Sequence, residues 1–199
     1  MSNSQELKDP FKEDIINGAR ELFERFGFKK TTMEDIARQV GKSKSALYYY
    51  YKTKEEIFEA VILRDIEASQ TMVAEAVKKE ESATSRFRVL FTTLLEDVKQ
   101  KANKFGVFKS DLYENHFLFD NIIKKRDSYI EELIKDILIL GISQHEVKMM
   151  NNAEMSLWAT MINITLKATA NKIFLEDDFK LSSAQIVFIA DSFFNGVKA

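Results

Sequence analysis

Residues 32–54 run TMEDIARQVGKSKSALYYYYKTK, two helical patterns hinged on one glycine. Thr32 is followed by Glu34 and Asp35, a cap residue with acids in the first turn, where the helix dipole favours them. Met33, Ile36, Ala37 and Val40 share one face of that first helix. Gly41 ends it and permits a tight turn. A second, short helix follows Ser43. Ala37 is small where the two helices approach, and Leu47 returns the second helix to the core. Two short helices joined in this way make a helix-turn-helix.

The second helix has two unlike sides. At 100° per residue Leu47, Tyr50 and Tyr51 fall on one of them, with Ala46 at its border. Lys44, Ser45, Tyr48 and Tyr49 fall within about 140° on the other. Leu47 marks the buried side, so Tyr50 and Tyr51 are read as packing residues. An outward face of Lys, Ser and two Tyr suits a DNA major groove. The lysine supplies charge, the serine reaches phosphate or base edges, and tyrosine hydroxyls donate to phosphate. Free N–H groups near Thr32, Ser43 and Thr53 suit phosphates as well.

Charge is distributed to match. The 199-residue chain has 29 Lys+Arg against 31 Asp+Glu, a net charge of −2. Between residues 29 and 54, however, Lys29, Lys30, Arg38, Lys42, Lys44, Lys52 and Lys54 face only Glu34 and Asp35. A basic island on an acidic chain is the electrostatic footprint of a nucleic-acid binder.

Helical patterns extend outward in both directions. Upstream, Asp9 caps a helix from Pro10 to Phe26 whose apolar stripe is Phe11, Ile15, Ala19, Leu22, Phe23 and Phe26, stopped by Gly27. Downstream, Thr53-Lys54-Glu55-Glu56 has the form of a capping box and opens a helix to about Glu80. Ser82 or Thr84 caps a fifth helix. A helix from Phe119 to Leu140 ends at Gly141. Ser143 and Glu146 form a second capping box opening a helix to about Phe174, and Ser182 with Gln185 opens the last. Segment 105–119 is aromatic-rich and irregular. With one Pro and six Gly, the expected fold is all-α: about nine helices, a three-helix helix-turn-helix domain followed by a helical bundle.

The stretch TTMEDIARQVGKSKSALYYYYKTKEEIFEAVI, preceded by ARELFERFGFKKTT, resembles the N-terminal helix-turn-helix of the TetR family of transcriptional regulators over about residues 12–62. That resemblance implies a DNA-binding domain at 1–54 and a ligand-sensing and dimerisation domain at 55–199. It implies that Thr32 caps the first helix of the motif against a phosphate. Ser43, Lys44, Ser45 and Ala46 open the recognition helix, Tyr48 and Tyr49 lie at the DNA, with Tyr49 on the backbone, and Lys54 meets a phosphate. Lys42, in the turn of the basic island, is assigned to the same interface. Many members have His then Phe where this chain has Tyr50 and Tyr51. The implied partners are an operator duplex, a small-molecule effector and a second copy of the chain. No cofactor is expected.

The larger domain invites two further assignments. Phe and Met cluster at 87–119 and 149–161, and such side chains make adaptable apolar walls. Phe91, Phe105, Phe108, Phe117, Met155, Trp158 and Met161 are candidate cavity residues, with Tyr113, His116 and Asn163 as orienting groups. The last helix is apolar on more than one face, which makes Ile186, Ile189, Phe193 and Phe194 candidates for a dimer interface.

Other classes are disfavoured. The chain has no Cys, which removes disulfides, thiolate metal sites and a cysteine nucleophile. Two His do not make a metal site. No GxSxG, P-loop or GxGxxG is present, so an enzyme is not expected. The N-terminus lacks an apolar signal core and no run spans a bilayer, so a cytoplasmic protein is expected. The competing reading is a helical small-molecule carrier or adaptor without specific DNA binding.

Overall fold

The computed structural model of the chain describes residues 9–104, 115, 118, 120–176 and 178–199. Eight helices are present among them: α1 (Pro10–Phe26), α2 (Met33–Gln39), α3 (Lys44–Tyr50), α4 (Lys54–Lys78), α5 (Ala83–Lys104), α6 (Asp120–Ser143), α7 (Asn152–Leu175) and α8 (Ser183–Asn195). Among the described residues extended pairing is confined to one bridge, Val147 with Lys198. The all-α expectation holds. Contacts divide the chain into two compact units, with the division inside α4 between Asp65 and Ile66.

The first unit is built on α1. Asp9 accepts the Phe11 N–H at 3.0 Å, Pro10 sits where its missing N–H costs nothing, and Gly27 closes the helix at φ 85°. Ile15, Ile16, Ala19 and Phe23 are buried, but Phe26 is 44% exposed. The buried face is therefore rotated from the expected stripe, with Ile16 taken in and Phe26 left out. Gly18 explains how closely α2 approaches: a Cβ there would lie 2.7 Å from Val40 Cγ1. Phe23, Phe28 and Phe58 meet at ring-centroid distances of 4.5–5.7 Å, and Ile36, Leu47, Ile57 and Val61 of the same unit are buried as well. At the start of α4, Thr53 Oγ1 accepts the Glu56 N–H, yet the Glu56 carboxylate takes the Lys52 N–H at 2.6 Å. The expected capping box is thus half formed, its return bond moved one residue upstream.

In the second unit α5 packs on α7 and α8. Phe87 meets Trp158 and Phe194, each at 5.2 Å between ring centroids, and Leu90, Phe91, Ile134, Ile137, Leu138, Ile162 and Ile186 fill the space around them. Two boundaries differ from expectation here. Gly141 does not end α6, which continues to Ser143. Gly141 is instead a point of close approach, where a Cβ would lie 2.5 Å from Val147 Cγ2 and 2.9 Å from Ala83 Cβ. Ser143 and Glu146 do not cap a helix of their own either. Asn151 with Glu154 forms the box that opens α7. The Glu146 carboxylate accepts from Ala83 N at 3.2 Å, Thr84 N at 2.9 Å and Thr84 Oγ1 at 2.7 Å. It satisfies the first turn of α5 beside Ser82, which accepts the Ser85 N–H.

Candidate nucleic-acid interface

The position of α3 is set by what its far side buries. Leu47 is wholly buried and Tyr51, just past the helix, is 6% exposed. Tyr50 is half-buried. Its hydroxyl donates to Asp9 Oδ2 at 2.8 Å and its ring meets Phe11 edge-on at 5.0 Å. Ser43 caps the helix by accepting the Ala46 N–H at 3.2 Å. With one side held in this way, Lys44, Ser45, Tyr48 and Tyr49 all face solvent. Tyr49 is 78% exposed. The division of α3 follows the wheel, and Tyr50 and Tyr51 pack as expected.

Neighbouring groups complete this surface. Thr32 and Asp35 form a reciprocal capping box at the start of α2: Thr32 N–H donates to Asp35 Oδ2 at 3.0 Å and Asp35 N–H to Thr32 Oγ1 at 3.2 Å. The bonds from Thr32 hold the Asp35 carboxyl below the usual carboxylate range. Lys42 is exposed, its ammonium 5.4 Å from the Phe11 ring centroid. Lys44 is paired with Glu34 of α2, both about half exposed. Their hydrogen bond lowers the Glu34 carboxyl and raises the Lys44 ammonium from their ordinary values. Lys54 is placed differently from the rest. Its Nζ donates to the Phe28 carbonyl at 2.6 Å and the Thr31 carbonyl at 2.9 Å, and lies 4.2 Å from the Phe28 ring centroid. It ties down the loop that leads to Thr32. The structure therefore brings Thr32, Lys42, Ser43, Lys44, Ser45, Ala46, Tyr48 and Tyr49 onto α2, α3 and their turn, with Lys54 bonded to the preceding loop. Sequence reasoning did not find the Glu34 and Asp9 partnerships, because both link residues from different helices.

Capped short helices, a left-handed Gly41 at φ 66° between them, and an exposed Lys-Ser-Tyr-Tyr face are the parts of a DNA-reading motif. The family model for bacterial regulatory proteins of the TetR family matches residues 15–61. Over those residues the helix-turn-helix is similar to that of the TetR family. Among relatives in sequence, the HTH-type transcriptional regulator UidR of Escherichia coli K12 is 32% identical over 78 residues, 39% of this chain and 40% of UidR. The chain thus matches about two fifths of that relative's length. Among solved structures, a transcriptional regulator from Cytophaga hutchinsonii is 25% identical with a TM-score of 0.76, covering 96% of this chain and all of that one. The regulator FadR from Bacillus subtilis, solved in complex with stearoyl-CoA, shares the fold at 18% identity and a TM-score of 0.67, covering 92% of this chain and 95% of FadR.

The remaining candidates lie beyond the TetR helix-turn-helix. Phe91 is wholly buried against the core, and Met155 and Trp158 are half-buried on it. Met161 is 52% exposed. Asn163 is 5% exposed and donates to Glu131 Oε1 at 3.2 Å, beside Thr160, which donates to the other Glu131 oxygen at 3.0 Å. Phe105, Phe108, Tyr113, His116 and Phe117 lie outside the described residues. On α8, Ile186 and Phe194 are buried within the chain's own core, and Ile189 and Phe193 are half-buried against it. The outward apolar residue of α8 is Phe188, 71% exposed, and α7 presents Leu157, Met161 and Ile164, each more than half exposed. Their four- and three-residue spacing on α7 is a helical stripe visible in the sequence, overlooked beside the buried residues that interleave it. Among the described residues no helix is long and apolar enough to cross a membrane.

Proposed function

We propose that this chain is a dimeric, sequence-specific transcriptional repressor that leaves its operator when a small apolar effector occupies the larger unit. The observation that carries the reading is α3, anchored by Leu47 on one side and exposing Lys44, Ser45, Tyr48 and Tyr49 on the other. Lysine ammonium, serine hydroxyl and tyrosine hydroxyl all donate to phosphate oxygens, and the same polar groups reach base edges in a major groove. Thr32 and Lys42 flank this face and add contacts to the duplex backbone. Lys54 supports the interface by fixing the loop before Thr32.

A helix of seven residues reads one half-site. Recognition of a palindrome takes two copies related by a two-fold axis. We assign the exposed apolar residues Phe188 of α8 and Leu157, Met161 and Ile164 of α7 to the surface that a second copy covers, while Ile186 and Phe194 stay in the chain's own core. The aromatic- and Met-rich composition of residues 55–199 supports an apolar effector, and FadR, with the same fold, holds stearoyl-CoA. Because α4 contributes residues to both units, it is the element through which effector occupancy alters the spacing of the recognition helices. Coupling of about 1–3 kcal/mol is typical of such linkage, roughly 5- to 150-fold in operator affinity.

Selection of bound duplexes from a random library at physiological salt tests the reading. The expected product is a palindrome whose half-sites lie about 10 base pairs apart, one turn of B-DNA, or a multiple of that. Binding that ignores sequence and disappears as salt rises would instead favour a helical carrier or adaptor.

A further inference from the structure

Glu34 is an anion on a surface otherwise built to meet one. Residues 29–54 hold seven cations and two carboxylates. Asp35 is engaged by the Thr32 cap and pairs with Arg38 at 2.5 Å. Glu34 is not part of that capping box. It sits in the first turn of α2, where the helix dipole attracts negative charge, whether from a side chain or from a bound phosphate. From there its carboxylate takes the ammonium of Lys44, the first residue of α3 and the cation of the exposed face. Lys44 lies over Tyr48 as well, 5.6 Å from the ring centroid. The carboxylate therefore offers Lys44 the same kind of charged oxygen acceptor that a duplex phosphate offers.

We propose that Glu34 is an intramolecular stand-in for DNA phosphate, holding Lys44 in the free protein so that a duplex gains this cation only by displacing the carboxylate. This rests on the DNA-binding reading above and adds to it a residue that restrains affinity. The restraint bears hardest on non-specific binding, which is almost wholly charge on charge. A protein that must find one operator among many competing sites gains specificity by weakening that mode.

The test is fluorescence anisotropy on a labelled duplex of mixed sequence, across a potassium chloride series. The variants are Glu34→Gln, Lys44→Ala and the double variant. Glutamine keeps the side-chain length and suits a helix. Glu34→Gln is expected to tighten binding about 3- to 8-fold near 0.1 M salt and to steepen the log–log salt slope by about 0.9, the worth of one further counterion released. In the Lys44→Ala background the same substitution is expected to change neither quantity. A Glu34→Gln protein that binds with wild-type affinity and slope overturns the proposal. So does a gain that persists without Lys44, which would make Glu34 a general repulsive charge. If the wild-type chain binds no duplex at any salt, the DNA-binding reading fails and the proposal falls with it.

Discussion

Tyr51 carries the one side-chain polar atom among the described residues that is buried without a hydrogen-bond partner. Burial pushes its phenol up to about 12. A hydroxyl desolvated without compensation costs about 1–3 kcal/mol, while its ring contributes to packing beside Leu47. Tyr51→Phe keeps the ring and removes the cost, so denaturant unfolding is expected to show a gain of about 1 kcal/mol. Lys54 is the opposite case. Its ammonium has two carbonyl acceptors, and Lys54→Ala strands both. That variant is expected to lose about 1 kcal/mol of stability, and its salt slope for DNA is expected to match the wild type. A slope shallower by about 0.9 would instead identify Lys54 as a direct phosphate ligand. At this scale the sequence was legible wherever a residue's fate depends on its own helix. The wheel divides α3 correctly because Leu47, the one fully buried residue within the helix, marks its inward side. It does not reveal that the Tyr50 hydroxyl meets Asp9, 41 positions away, or that Lys54 turns back to Phe28 and Thr31.

Helix ends show the same limit. Asp9, Thr32, Ser43 and Ser182 cap where their sequence patterns place them, because a cap and its N–H partner lie within three residues of each other. Ser143-x-x-Glu146 has the same pattern and a different outcome. Val147 packs against Gly141, the backbone turns at His145 with φ 59°, and Glu146 is delivered to α5. Tertiary contact overrides local propensity there, and nothing near Glu146 in sequence announces Thr84. The arrangement predicts a pH dependence. Burial works to raise the Glu146 carboxyl, but the bonds from Thr84 and Ala83 outweigh it and hold the group below its ordinary value. A carboxyl lowered in the folded state favours folding in full above its unfolded value, about 4.3, and loses that contribution as pH falls through the folded value. Glu146→Gln is therefore expected to lower the melting temperature at neutral pH, with the gap to wild type closing on acidification. A gap independent of pH would show that the carboxylate charge contributes nothing there.

For the whole molecule, the all-α class was readable from scarce Gly and Pro and from repeated apolar spacing. The larger unit's surface was less so. Apolar residues occur on every side of α7 and α8, and periodicity cannot say which of them the chain buries itself. The last helix offers Ile186, Ile189, Phe193 and Phe194, of which the chain's own core buries the first and last and half-buries the other two, while Phe188 and Ile164 are left in solvent. If a second copy covers them, Phe188→Glu combined with Ile164→Glu is expected to yield a species of 23.0 kDa by sedimentation equilibrium in place of one twice that mass. Helical content should be unchanged, since neither side chain enters the core. Persistence of the larger species would move the interface elsewhere. The seven-residue length of α3 has its own consequence. Isolated helices of fewer than about 12 residues are marginal in water, so α3 persists only while its inward side, centred on Leu47, stays seated. Its amide hydrogens should then exchange with solvent deuterium at a rate set by the unseating of that side, and a bound duplex should slow that exchange even at amides it does not touch.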